Sequence, residues 1–197
     1  LPVGLRRALT IVPIRSSDEG VVIAEEPTKF RGMSVGDTVV YAAHGIGRIV
    51  ARERKQIGGT ERDCVIVDLA AGLRVTLQLD DAAERLRAVV GEKELDAVRS
   101  TLASAPAARE EPWTKRMKTI KAKLAAGRAT DLAEIVRDGE RLERAAGGTR
   151  LSHGESHVYR RARALLVGEV CSARGVGEDE AEAWIEAQIA LANGSGD

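Results

Sequence analysis

The chain changes character near Pro106, from a half that opens in short strands to one that is helical throughout, and that change constrains the fold more than any other feature. Between Met33 and Leu79, apolar residues tend to recur at every second position. Leu73, Val75, Leu77 and Leu79 alternate with Arg74, Thr76 and Gln78, the pattern of a strand with one buried face. Cys64–Leu69 is a more continuous apolar strand, and Ala70-Ala-Gly72 turns it into the next one. Gly58 and Gly59 separate two further runs and can take the positive φ that a tight hairpin demands. Met33 to Arg48 reads as a strand, a glycine turn and a second strand. Four or five short antiparallel strands that must bury one face predict a small, curled β-barrel.

From Asp80 to about Ser104 the spacing becomes helical, with Leu95, Val98 and Leu102 following Glu92 and Glu94, acids that suit a helix N-terminus. The small, proline-bearing stretch 105–112 is a linker. Beyond it everything is helical. Pro112 fits a first turn, Trp113, Met117, Ile120 and Leu124 form one stripe, and Gly127 offers a stop. A second helix runs from Asp131 to about Ala146, ended by Gly147-Gly148. Ser152-His-Gly-Glu155 is a capping box that opens a third, stopped by Gly175. A fourth covers Glu178 to Leu191. The fold class is therefore β + α in two domains, an antiparallel β-barrel followed by an all-helical domain. The expected divisions are a flexible N-terminal extension (1–32), a domain of strands and then a helix (33–104), the linker (105–112), the helical domain (113–192) and a tail (193–197).

Lysine plus arginine and aspartate plus glutamate both number 30, so the whole chain carries no net field toward nucleic acid. Its distribution is uneven. From Trp113 to Leu165 there are thirteen bases and six acids, whereas Leu166 to Asp197 holds one base, Arg174, and seven acids. The helix that starts at Trp113 carries Lys115, Arg116, Lys118, Lys121 and Lys123 with no acid before Gly127. A merely solvated face normally mixes signs, so this one is the footprint of phosphate contacts. Trp113 has two readings. It can wedge between base steps of a minor groove, or it can join Met117, Ile120 and Leu124 in the core.

Little in the chain points to catalysis. His153 and His157 share a helix face, but Gly154 stands where a zinc hydrolase motif needs glutamate, and no third ligand is evident. Gly45-Ile-Gly47 lacks the third glycine of a dinucleotide fingerprint, and no GxxxxGK[ST] occurs. Cys64 and Cys171 stand far apart and read as reduced thiols of a cytoplasmic protein. No enzyme, metal site or cofactor is expected, and no membrane span or signal peptide is read.

Several fragments in order resemble the CarD family of bacterial transcription regulators, whose N-terminal domain is shared with transcription-repair coupling factors. They are Val35-Gly-Asp-Thr-Val-Val-Tyr41, His44-Gly45, the Leu73–Leu79 strand, Val90-Gly91, Glu110-Glu-Pro-Trp113, Lys123-Leu-Ala-Ala-Gly127, Ala133-Glu-Ile-Val-Arg-Asp138, Leu151-Ser152 and Ala162-Arg-Ala-Leu-Leu-Val-Gly-Glu169. The resemblance runs from Met33 to about Ala192 and makes the barrel Tudor-like. It implies docking on the β subunit of RNA polymerase and contact with promoter DNA at the upstream edge of the bubble. There a tryptophan wedge, Trp113, stabilises the open complex. Lys115, Arg116 and Lys118, with Arg160 and Arg161, would contact phosphate. Lys55 stands where relatives often carry a basic polymerase contact, and Leu77 where some have arginine. The implied state is a monomer associated with the nucleoid through polymerase. Met33 stands where related proteins begin, so 1–32 is either an untranslated, dispensable stretch or a flexible arm. The competing functional reading is a protein–protein adaptor whose helical domain binds protein and buries Trp113.

Overall fold

Tight turns and alternating strands build the first half of the molecule. The computed structural model describes residues 10–13, 30–70, 72–105, 112–145 and 152–191. Strands β2 (Thr38–Tyr41) and β3 (Gly45–Ile57) are joined by a 3-10 turn, Ala42–His44. β3 pairs antiparallel with β4 (Thr60–Leu69), placing Ile57 opposite Thr60, so Gly58 and Gly59 alone make the loop. Their φ values of 60° and 81° explain why two glycines stand there. β4 pairs with β5 (Leu73–Gln78) across a turn in which the Gly72 N–H donates to the Leu69 carbonyl at 3.0 Å.

A short helix, α1 (Leu79–Arg85), and a short strand, β6 (Leu86–Ala88), follow. With β1 (Thr10–Pro13) the sheet has the order β1-β5-β4-β3-β2-β6. It is antiparallel where its register is resolved, and it is not closed, so the expected barrel is a loose one. Closure needs the two outer strands to pair along their length, and these outer strands have only four and three residues. Val75 and Leu77 are buried and Arg74 is exposed, as the period-2 pattern of β5 requires. Cys64 to Val67 is buried at every position, because α1 packs against β4 and covers its second face.

Contacts divide the chain into two compact units, Leu1–Val40 with Gly47–Ala88, and Tyr41–Ile46 with Val89–Asp197. Two placements differ from the sequence reading. Within the stretch expected to be a flexible extension, Thr10–Pro13 pairs with the edge of β5, Ile11 opposite Val75. This β-branched run satisfies backbone groups that β5 would otherwise present unpaired. The rest of 1–29, positions 106–111 of the linker, the glycine-rich 146–151 and the tail lie outside the described residues.

The second difference concerns α2 (Glu92–Ala103), expected to close the strand domain. It packs instead on the helices α4 (Ala129–Ala145), α5 (His153–Arg174) and α6 (Glu178–Leu191). Val98 and Leu102 are fully buried in the core that those helices form. Both ends of α2 are also fastened there. Arg137 Nη1 of α4 donates to the Thr101 carbonyl at 3.2 Å and to Ser104 Oγ at 2.5 Å, and Arg141 Nη2 reaches the Ser104 carbonyl at 3.3 Å. These guanidinium groups add donors at the helix C-terminus, where the Thr101 carbonyl also accepts the Ser104 N–H at 3.2 Å. At the other end the buried Glu169 carboxylate of α5 accepts the Val90 N–H at 3.3 Å.

The remaining helix, α3 (Trp113–Ala126), ends on Gly127 in the left-handed conformation, φ 63°. A Cβ there would lie 2.7 Å from the Ala42 carbonyl carbon, so only glycine admits the 3-10 turn so closely.

Candidate nucleic-acid interface

Pro112 starts α3, and its carbonyl accepts the Lys115 and Arg116 N–H groups at 3.1 Å each. Trp113 follows immediately and is 50% exposed. Its stripe partners Met117, Ile120 and Leu124 pack into the helical core. Thus Trp113 continues the apolar stripe one turn beyond the place where other helices cover it, and its ring faces solvent. The other tryptophan, Trp184, packs against the core with the Arg174 guanidinium 5.4 Å from its ring centroid.

Position on α3 sorts its five bases. Lys115, Lys118 and Lys121 are exposed. Arg116 and Lys123 turn toward neighbouring helices. Arg116 Nη2 donates to Glu155 Oε1 of α5 at 3.1 Å, and Lys123 pairs with Glu134 of α4. Lys118 and Lys121 carry no ion pair among the described residues. Of the six acids in the basic segment, Glu134, Glu140 and Glu155 pair with bases on other helices, and Asp131 and Asp138 pair with the nearby Arg128 and Arg137.

α3 and α5 run side by side in the same direction. The Arg116–Glu155 pair joins their first turns. At the far end the 41–46 turn meets both, Ala42 at Gly127 and Gly45 at Leu165, where a Cβ on Gly45 would lie 3.0 Å from Leu165 Cδ2. Trp113 and the start of α5 therefore share one end of the unit. Arg160 and Arg161 are exposed one to two turns further along α5, and Arg160 Nε donates to the Ser156 carbonyl at 3.3 Å.

Glu155 is the best connected acid at this end. Its Oε2 accepts the Ser152 N–H at 3.1 Å and the Ser152 hydroxyl at 2.7 Å, closing the capping box, while Oε1 holds Arg116. Burial alone pushes this carboxyl up, but the hydrogen bonds from Ser152 and Arg116 outweigh it and hold the group below its ordinary value.

Other bases counted in the segment serve the interior. Arg163 sits among Glu140, Glu182 and Glu186, at 3.4, 2.5 and 2.7 Å, and so ties α5 to α4 and α6. Burial works against its charge, but the hydrogen bonds with Glu182 and Tyr159 raise its pKa above the ordinary value. Tyr159, whose hydroxyl donates to Glu140 at 2.7 Å, is pushed upward by burial and then by that bond. In the sequence these arginines count as surface charge, and nothing local signals their burial.

On the strand side, Lys55 is half-buried on β3 and pairs with Glu53 at 3.4 Å. Leu77 requires a correction. Its side chain is 2% exposed in the core under β5, so it cannot meet a polymerase surface while the sheet is folded. Among the described residues, no helix is long and apolar enough to cross a membrane.

Comparison with protein families gives two matches that cover most of the chain in order. The model described as "CarD-like/TRCF RID domain" matches residues 33–90, and that described as "CarD, C-terminal domain" matches residues 97–186. The first spans β2 to β6 with α1 and leaves out β1, and the second opens inside α2, which packs with the other helices.

Proposed function

The chain belongs to the CarD family, and from that premise we propose that it docks on the β subunit of bacterial RNA polymerase and stabilises the promoter open complex. Membership carries the coarser part, a polymerase-interacting transcription regulator from a family of non-enzymatic factors. The finer part rests chiefly on one observation, a half-exposed Trp113 on the first turn of a helix whose outward face carries Lys115, Lys118 and Lys121.

In this reading the strand unit docks on polymerase, with Lys55 at the contact and an edge of the open sheet extending a polymerase sheet. The helical unit meets DNA at the upstream edge of the bubble. Trp113 wedges against an unstacked base step in the minor groove, and Lys115, Lys118, Arg160 and Arg161 hold flanking phosphates. Binding the melted promoter better than the closed one stabilises the melted state by that difference in free energy and no more. Weak intrinsic DNA affinity suffices, because docking raises the local concentration of the basic helices.

The test is binding in two parts. Isolated polymerase β subunit should bind the protein and lose affinity on Lys55→Glu. Free duplex should bind poorly and ever more weakly as salt rises. Sub-micromolar, salt-insensitive binding to bare duplex would contradict the arrangement. Docking on the β subunit without any DNA contribution would leave the adaptor reading in its place.

A further inference from the structure

Resting on that reading, we infer that Arg116 and Glu155 are positioning residues: their ion pair anchors the turn that presents Trp113, and Arg116 is not itself a phosphate contact. No side chain caps the N-terminus of α3, where Pro112 occupies the cap position. Only one turn of helix separates Trp113 from Met117, the first residue of the stripe to be buried. A helix end of this kind frays unless something outside it holds the first turn. Arg116 lies within that turn, and its guanidinium is drawn inward to Glu155, the two side chains being 29% and 15% exposed. Lys115 and Lys118 beside it are exposed.

Glu155 suits the task because its two oxygens are divided. Oε2 belongs to the capping box with Ser152, and Oε1 is left for Arg116. The carboxylate is fixed by its own helix before it meets α3, so little freedom is lost in forming the pair. Gln at 155 has one acceptor oxygen for two duties, and its amide group would face either Ser152 or a cation. Arg116→Gln removes the tether and leaves the α5 cap intact, while Arg116→Lys keeps the charge pair.

Two roles for Arg116 lead to opposite outcomes. If Arg116 held phosphate, Glu155→Gln would free it and remove an acid from the DNA side, strengthening DNA binding. If Arg116 is a tether, Glu155→Gln loosens Trp113 and weakens the wedge. The experiment uses full-length protein with Trp184→Phe, so that Trp113 alone reports. Arg116→Gln and Glu155→Gln should each lower Trp113 fluorescence anisotropy in the free protein. Each should also shorten open-complex lifetimes by up to about fivefold. The double variant should do no worse than either single one, and Arg116→Lys should restore both readings. The slope of DNA affinity against salt should stay unchanged, whereas loss of a phosphate contact lowers it by about one. Unchanged anisotropy, or tighter DNA binding by Glu155→Gln, overturns the tether. Lower anisotropy beside a wild-type protein that never prolongs open complexes supports the tether and overturns the function it was inferred to serve.

Discussion

Gly139 lies inside α4 with its Cα against the ring of Tyr159, and replacing it with alanine should reverse the usual rule for helix glycines. A Cβ at this position would fall 2.0 Å from Tyr159 Cδ2 and 2.5 Å from Cε2. On a free surface Gly→Ala gains about 1 kcal/mol of helix propensity. Here the ring must move, yet it is 7% exposed and its hydroxyl is held by Glu140 at 2.7 Å and Arg163 at 3.3 Å. Overpacking costs about 1–3 kcal/mol, and losing a hydrogen bond to a charged group about 1.5–3 kcal/mol. After the propensity gain the net loss is about 1.5–5 kcal/mol, and each kcal/mol lowers Tm by roughly 4–8 °C for a unit of about 100 residues. Gly154, near the start of α5, is the internal control, because a Cβ there would meet nothing within 4 Å. Alanine at that position should be neutral or stabilise by up to about 1 kcal/mol. Calorimetry on both variants decides the matter. A Gly139→Ala protein as stable as wild type would refute the close approach of α4 and α5, and with it the placement of Arg160 and Arg161.

Three further outcomes are expected. Gly127→Ala combines a left-handed φ with a backbone collision at Ala42, and should cost about 2–3 kcal/mol in chemical unfolding. The carboxyls of Asp68, through its hydrogen bond to Arg74, and of Glu155 both lie below their ordinary values in the fold. Their stabilisation is therefore present above the ordinary carboxylate range and lost as pH falls through the lowered values, so an Asp68→Asn, Glu155→Gln variant should show a flatter decline in stability between about pH 5 and 3. Lys118→Gln should lower the salt slope of promoter binding by about one without changing Tm, and an unchanged slope would remove Lys118 from the DNA surface.

What was legible in the sequence was local chemistry. The Gly58-Gly59 hairpin, the Gly127 and Gly175 stops and the Ser152–Glu155 capping box each follow from a few neighbouring residues, and each stands where expected. What was not legible depends on distant partners. β6 is three residues long, too short to show a period, and is a strand only because it pairs in the sheet. The stripe of Leu95, Val98 and Leu102 announced an amphipathic helix but not which side of the chain would cover it. Arg137, Arg163 and Glu169 look like surface charges until their partners from distant parts of the chain are seen. Leu77 is different, since the alternation that identifies β5 also puts Leu77 on the buried face with Val75. Its burial was therefore legible from the period alone, against the interface role that the resemblance suggests.

The most direct measurement is the lifetime of polymerase open complexes on a ribosomal-type promoter, with wild-type protein and with Trp113→Ala. Trp113 is half exposed, so its truncation should leave the helical core folded, and unchanged Tm can be verified in the same preparation. Wild-type protein should lengthen the lifetime, and Trp113→Ala should abolish most of that effect while still binding the β subunit. Equal lifetimes with wild type, Trp113→Ala and no added protein would contradict stabilisation of the open complex.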